Sequence, residues 1–91
     1  MARGARPKPK RFAQKLVQLR TALGLSQNEL IRELEVELTQ SRISEYEMGK
    51  GEPSLPVLLK YARLAGVCVE VLIDDALDLP DRLPAKPRHR I

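Results

Sequence analysis

The sequence predicts an all-α domain. Apolar residues recur at three- and four-residue spacing, Ser or Thr heads successive apolar stretches, and no run alternates apolar and polar as a half-buried strand would. Five short helices are expected over residues 12–73, flanked by a flexible basic arm at 1–11 and a flexible Pro-rich tail at 74–91.

The first helix carries Phe12, Leu16, Leu19 and Leu23 on one stripe, with Val17 beside them, and Gly24 stands where a left-handed residue would end it. The second begins at Ser26. Its hydroxyl can accept from the backbone three residues on while Glu29 reaches back, a capping box, and Leu25 and Leu30 have the spacing of a hydrophobic staple. Leu30, Ile31 and Leu34 form its inner face. Thr39 heads the third helix, with Leu38 and Ile43 as a second staple, Ile43 and Tyr46 inward and Gly49 as the stop. Ser54 heads the fourth, whose Leu55, Leu58, Leu59, Ala62 and Ala65 are expected to face the core. Pro56 falls in its first turn, where a missing N–H costs nothing. Gly66 ends it, and Val69–Ile73 makes a short fifth helix.

At 91 residues the chain is one small domain, which removes roughly 60% of its unfolded surface from water. One Cys excludes an intrachain disulfide framework, and one His with one Cys cannot build a zinc site. Cys68, between Val67 and Val69, reads as a buried inert thiol, and His89, in the basic tail without a second ligand, as a solvated histidine. No nucleophile–base pair, phosphate loop or paired acids has a supporting context, so neither an enzyme nor a cofactor is expected. Apolar runs are short and no hydrophobic signal segment leads the chain, so an intracellular protein without a membrane span is expected.

The formal charge of +4 is unevenly placed. Residues 1–11 hold Arg3, Arg6, Lys8, Lys10 and Arg11 with no acid, whereas residues 12–73 hold seven cations and eight acids. Residues 74–91 hold four of each. The arm is therefore either a solvated tag-like segment or one that grasps phosphates.

Two capped short helices in succession, the second polar on its outer face, have the layout of a helix-turn-helix. With Ile43 and Tyr46 inward, Gln40, Ser41, Arg42, Ser44 and Glu45 point outward or to the flanks. Gln suits adenine, Arg suits guanine, Ser suits a base or phosphate, and Glu accepts from cytosine.

The strings Leu25-Ser26-Gln27-Asn28-Glu29-Leu30, Ile43-Ser44-Glu45-Tyr46-Glu47-Met48-Gly49-Lys50 and Glu52-Pro53-Ser54-Leu55 closely resemble the Xre/Cro phage-repressor helix-turn-helix family, with its lambda-repressor-like five-helix fold. The resemblance spans about residues 12–73. It implies a phosphate-contacting and bracing role for Gln27, base-edge contacts from Gln40, Ser41, Arg42 and Glu45, a backbone contact from Lys50, and a structural role for Glu47. It further implies double-stranded DNA as partner, a homodimer, a transcriptional regulator (a repressor in most members) and a cytoplasmic, bacterial or phage-encoded setting. The dimer surface would involve Val69, Leu72 and Ile73. Three departures stand out. The stretch Leu34-Glu35-Val36-Glu37-Leu38 is about two residues longer than the family's Gly-containing turn, so either the second helix runs on by half a turn or the turn is looser. Met48 replaces a usual Asn, and Cys68 a usual Ser cap.

Two rivals belong to other classes. One is an antitoxin-like interaction module whose tail, Asp74–Ile91, folds on a partner protein; the other is a general nucleic-acid binder acting through the arm alone.

Overall fold

The computed structural model describes residues 9–83, which form five α-helices in the order the sequence predicts: α1 (Phe12–Ala22), α2 (Gln27–Leu34), α3 (Gln40–Glu47), α4 (Leu55–Ala65) and α5 (Val69–Ile73). No strand occurs among the described residues. The expectations for residues 1–8 and 84–91 lie outside them.

The helix starts follow local chemistry. Ser26 Oγ accepts from the Glu29 N–H at 3.1 Å while Glu29 Oε1 accepts from the Ser26 N–H at 2.8 Å, which completes the capping box. Thr39 Oγ1 accepts from the Arg42 N–H at 3.2 Å and Ser54 Oγ from the Val57 N–H at 3.4 Å. Cys68 caps α5 with no side-chain bond. It is exposed, which corrects the expectation of a buried thiol. Its apolar neighbours Val67 and Val69 turn toward the core, while the residue between them, leading into the helix, faces out.

Glycines with positive φ follow α1, α3 and α4, but α2 ends on Glu35, a left-handed residue with a side chain (φ 56°). The two helix 2–3 alternatives are thereby resolved. The helix stops at Leu34, and the added length is a looser turn over residues 35–39.

The core is built from Leu16, Leu19, Leu23, Leu30, Leu34, Ile43 and Tyr46, joined by Leu58, Tyr61, Ala62, Leu64 and Ala65 of α4 and Leu72 of α5. α3 packs on α1 and α2, α4 on α2 and α5, and α5 on α1. Two expectations on α4 fail: Leu55 is 80% exposed and Leu59 40% exposed. The buried stripe runs 58-61-62-65, which rotates Leu59 outward. Leu55 is the first helical residue, and a helical side chain leans over the turn before it, which here does not exist.

The packed body also passes the expected boundary at residue 73. Leu79 and Leu83 join the same core cluster, so at least the first half of the expected tail covers the body rather than leaving it. Three charged residues tie that cover down. Lys15, 1% exposed, donates Nζ to the carbonyls of Val71 (2.7 Å) and Asp74 (2.8 Å), placing its cation on the negative end of α5. Asp75 accepts from the N–H groups of Lys10 and Arg11 at the head of α1, a helix without a capping side chain of its own. Arg11 returns its guanidinium to the Asp75 carbonyl at 2.8 Å and to the Asp78 carboxylate.

Candidate nucleic-acid interface

α3 buries Ile43 and Tyr46 against α1 and α2 and leaves its opposite side bare: Gln40, Ser41 and Arg42 are exposed, and Ser44 and Glu45 are half-buried. Lys50 is exposed in the loop that follows, where its N–H donates to the Glu45 carbonyl at 2.8 Å. This bond, with that of Gly49 to Tyr46, closes the helix end and fixes where the Lys50 stem leaves the backbone. Gly49 is required there by its positive φ of 76°, a conformation that a side chain makes costly, and not by crowding: a Cβ would lie 3.8 Å from the Ala13 Cβ of α1, an ordinary contact.

A chain of polar groups holds α3 from behind. Arg20, on the last turn of α1, donates Nε to Glu47 Oε2 at 2.8 Å and Nη2 to Glu47 Oε1 at 3.1 Å, and its Nη1 binds the Leu25 carbonyl at 2.9 Å. Glu47 is 6% exposed at its side chain, so the pair is largely sheltered from water and its geometry is a two-point clamp. The same carboxylate holds the Arg20 guanidinium firmly in its charged form. Beside this group Tyr61 is fully buried, and burial pushes its phenol well above the ordinary tyrosine value of 10.0. Its hydroxyl has no hydrogen-bond partner among the described residues.

Glu47 then reaches α2. Gln27 Nε2 donates to Glu47 Oε1 at 3.0 Å, and Gln27 Oε1 accepts from Gln40 Nε2 at 3.1 Å. The orientations follow from the chemistry. An ionised carboxylate only accepts, so Gln27 must turn its NH2 toward Glu47 and its oxygen toward Gln40. Gln40 in turn must present an N–H to Gln27. One N–H and the whole carbonyl oxygen of Gln40 remain for an outside partner, a donor and an acceptor side by side on the exposed face. Arg42 lies one step along and donates Nη1 to Glu45 Oε1 at 3.1 Å, leaving most of its donors unspent.

Of the residues singled out by sequence, the structure gathers Gln27, Gln40, Arg42 and Glu45 with their near neighbours Ser41 and Ser44 on or beside one helix, and puts Lys50 just past its end. Lys10 is exposed and Arg11 is engaged by Asp75 and Asp78; Arg3, Arg6 and Lys8 lie outside the described residues. Sequence reasoning missed Arg20, Lys15 and Asp75. Arg20 and Glu47 are 27 residues apart, and Lys15 and Val71 are 56 apart, so no local spacing pairs them.

Among the described residues no group of three His, Cys, Asp or Glu could hold a metal ion, and no helix is long and apolar enough to cross a membrane.

A capped pair of short helices at right sequence distance, the second presenting polar side chains and clamped from behind, defines a helix-turn-helix protein. The profile of the helix-turn-helix family HTH_3, the Xre/lambda-repressor-like class, matches residues 16–70, and the chain belongs to that family. The family is one of DNA-binding regulatory domains, not of enzymes. No curated protein matches the chain.

Proposed function

We propose that this protein is a sequence-specific regulator of transcription, a repressor acting as a homodimer in the cytoplasm, that reads the DNA major groove with α3. One observation supports this above the rest: the Glu47–Gln27–Gln40 chain leaves Gln40 with a free donor and a free acceptor at the exposed head of α3. That is the pair adenine offers a partner for through N7 and N6. Gln40, Ser41, Arg42, Ser44 and Glu45 are the base-facing set. Gln27 and Lys50 hold the phosphates on either side. A single reading helix of eight residues specifies few base pairs, and two-fold symmetry doubles the site, with half-sites about one helical turn apart.

The described domain is close to neutral, so the basic arm supplies cations that the body lacks. In the antitoxin-like reading, the tail must be available to a partner. Residues 74–83 are instead engaged on the chain's own body through Leu79, Leu83 and Asp75, which favours the regulator.

Selection from a random duplex pool, followed by sizing of the complex, tests the proposal. A symmetric consensus bound by two chains is the expected result. Equal affinity for every duplex would replace it with the arm-only binder, and a bound single copy would remove the dimer.

A further inference from the structure

We propose that Asp75 is a positioning residue for DNA binding: by holding the backbone of Lys10 and Arg11 it launches the basic arm beside the loop that carries Lys50. The inference rests on the DNA-binding reading above.

The geometry has three parts. Asp75 accepts from the Lys10 and Arg11 N–H groups at 2.9 and 3.0 Å, so two successive peptide groups at the arm's root are held by one carboxylate. The segment bearing Asp75 is itself fastened to α1, because buried Lys15 grips the Val71 and Asp74 carbonyls immediately before it. On the far side, Pro9 and Lys10 line a depression of about 180 Å³ whose other wall is Gly49, Gly51 and Glu52, the residues flanking Lys50. Pro9, the first described residue, therefore lies next to the loop after α3.

An arm with a fixed exit presents its cations to nearby phosphates at high effective concentration, whereas a freed root spreads them over a larger volume. Arg11 spends its guanidinium on the Asp75 carbonyl and Asp78, so the charge delivered to DNA is that of Arg3, Arg6, Lys8 and Lys10. Electrostatics alone predicts the opposite sign for losing Asp75. Removing an acid from a DNA-binding protein strengthens its attraction to a polyanion. A loss of affinity on removing this carboxylate identifies anchoring.

The experiment compares four proteins: the full chain, Asp75→Ala, a chain lacking residues 1–8, and that deletion combined with Asp75→Ala. The probes are a fluorescent duplex recovered from a random pool with the full chain, and a mixed-sequence duplex, titrated between about 50 and 200 mM salt. Deleting residues 1–8 should flatten the slope of log affinity against log salt by up to about 2.7, or 0.9 for each of three cations. Asp75→Ala should weaken binding roughly three- to tenfold and flatten the slope in the same direction. In the deleted chain, where only Lys10 of the arm's cations remains, the substitution should no longer weaken binding, the lost acid offsetting what Lys10 loses. Asp75→Asn, which keeps one acceptor oxygen, should fall between. An equal loss with and without residues 1–8 would assign Asp75 a merely structural role and overturn the proposal. Unchanged or tighter binding by Asp75→Ala would overturn it too, while leaving the DNA reading intact. If the full chain bound no duplex at any salt, both readings would fall together.

Discussion

Gln27 of α2 and Glu47 of α3 meet at 3.0 Å, with the amide N–H donating to a carboxylate already clamped by Arg20. Three helices are joined at that point. The acidity that argues against a DNA-facing role for Glu47 is neutralised by Arg20, and the acid becomes the support on which the α3 face is oriented.

Replacing Glu47 by Ala removes the acceptor for both Arg20 and Gln27 and strands a sheltered guanidinium. The expected cost is about 3 kcal/mol of folding stability, in the range for breaking a buried pair from one side. Glu47→Gln, which preserves shape and one acceptor, should cost less. Urea denaturation checks both, and an Ala variant as stable as the parent would show the clamp to be incidental.

Gln40→Ala and Arg42→Ala together should relax base preference while leaving the fold intact, since both side chains are exposed. Each lost base contact is worth about 1–3 kcal/mol against the preferred duplex, with little change on mixed-sequence DNA. Competition titrations give the ratio directly. Indifference to both substitutions would remove α3 as the reading element.

Glu35 occupies the left-handed region at φ 56°, where a side chain costs about 1–2 kcal/mol and glycine nothing. Glycine also loses more freedom on folding, which takes back about 0.5–1 kcal/mol. Glu35→Gly should therefore gain about 0.5–1 kcal/mol, or a melting point higher by several degrees in a domain of this size. Glu35→Val, β-branched at positive φ, should lose stability instead. Thermal melts of the two variants should move in opposite directions.

The N–H groups of Lys10 and Arg11 hold the Asp75 carboxyl below its ordinary value of 3.8, and the Arg11 guanidinium does the same for Asp78. A carboxyl whose folded pKa is depressed stabilises the fold fully above the unfolded value and loses that contribution as pH falls through the folded one. The stability gap between the parent and an Asp75→Asn, Asp78→Asn chain should accordingly be constant near neutrality and close below about pH 4. Melting curves recorded down to about pH 2 check the sign. A gap that widened with acid would contradict it.

The helix starts and stops were readable because their causes are local: Ser26 with Glu29, Thr39, Ser54, and glycines at three of the four described helix ends with positive φ. The outward set on α3 was equally readable, because Ile43 and Tyr46 fix the phase of an eight-residue helix. The α4 face was half right. The period admits Leu55 and Leu59 as well as Tyr61 and Leu64, and only the placement of α2 and α5 against that helix chooses between them.

The uneven charge was legible from the first residues: a basic arm beside a nearly neutral body. Where that arm is attached was not. Lys10 and Asp75 are 65 residues apart, and the tail that contains Asp75 has no period to mark Leu79 and Leu83 as core. By itself the sequence determined the helices, their caps and the side chains on the outer face of α3, since each depends on neighbours within one helical turn. Tertiary structure alone decided that Arg20 clamps Glu47, that Lys15 and Asp75 bind the two ends of the domain together, and that Pro9 and Lys10 lie across from the loop that holds Lys50. Those pairings depend on distances through space, and spacing along the chain carries no record of them.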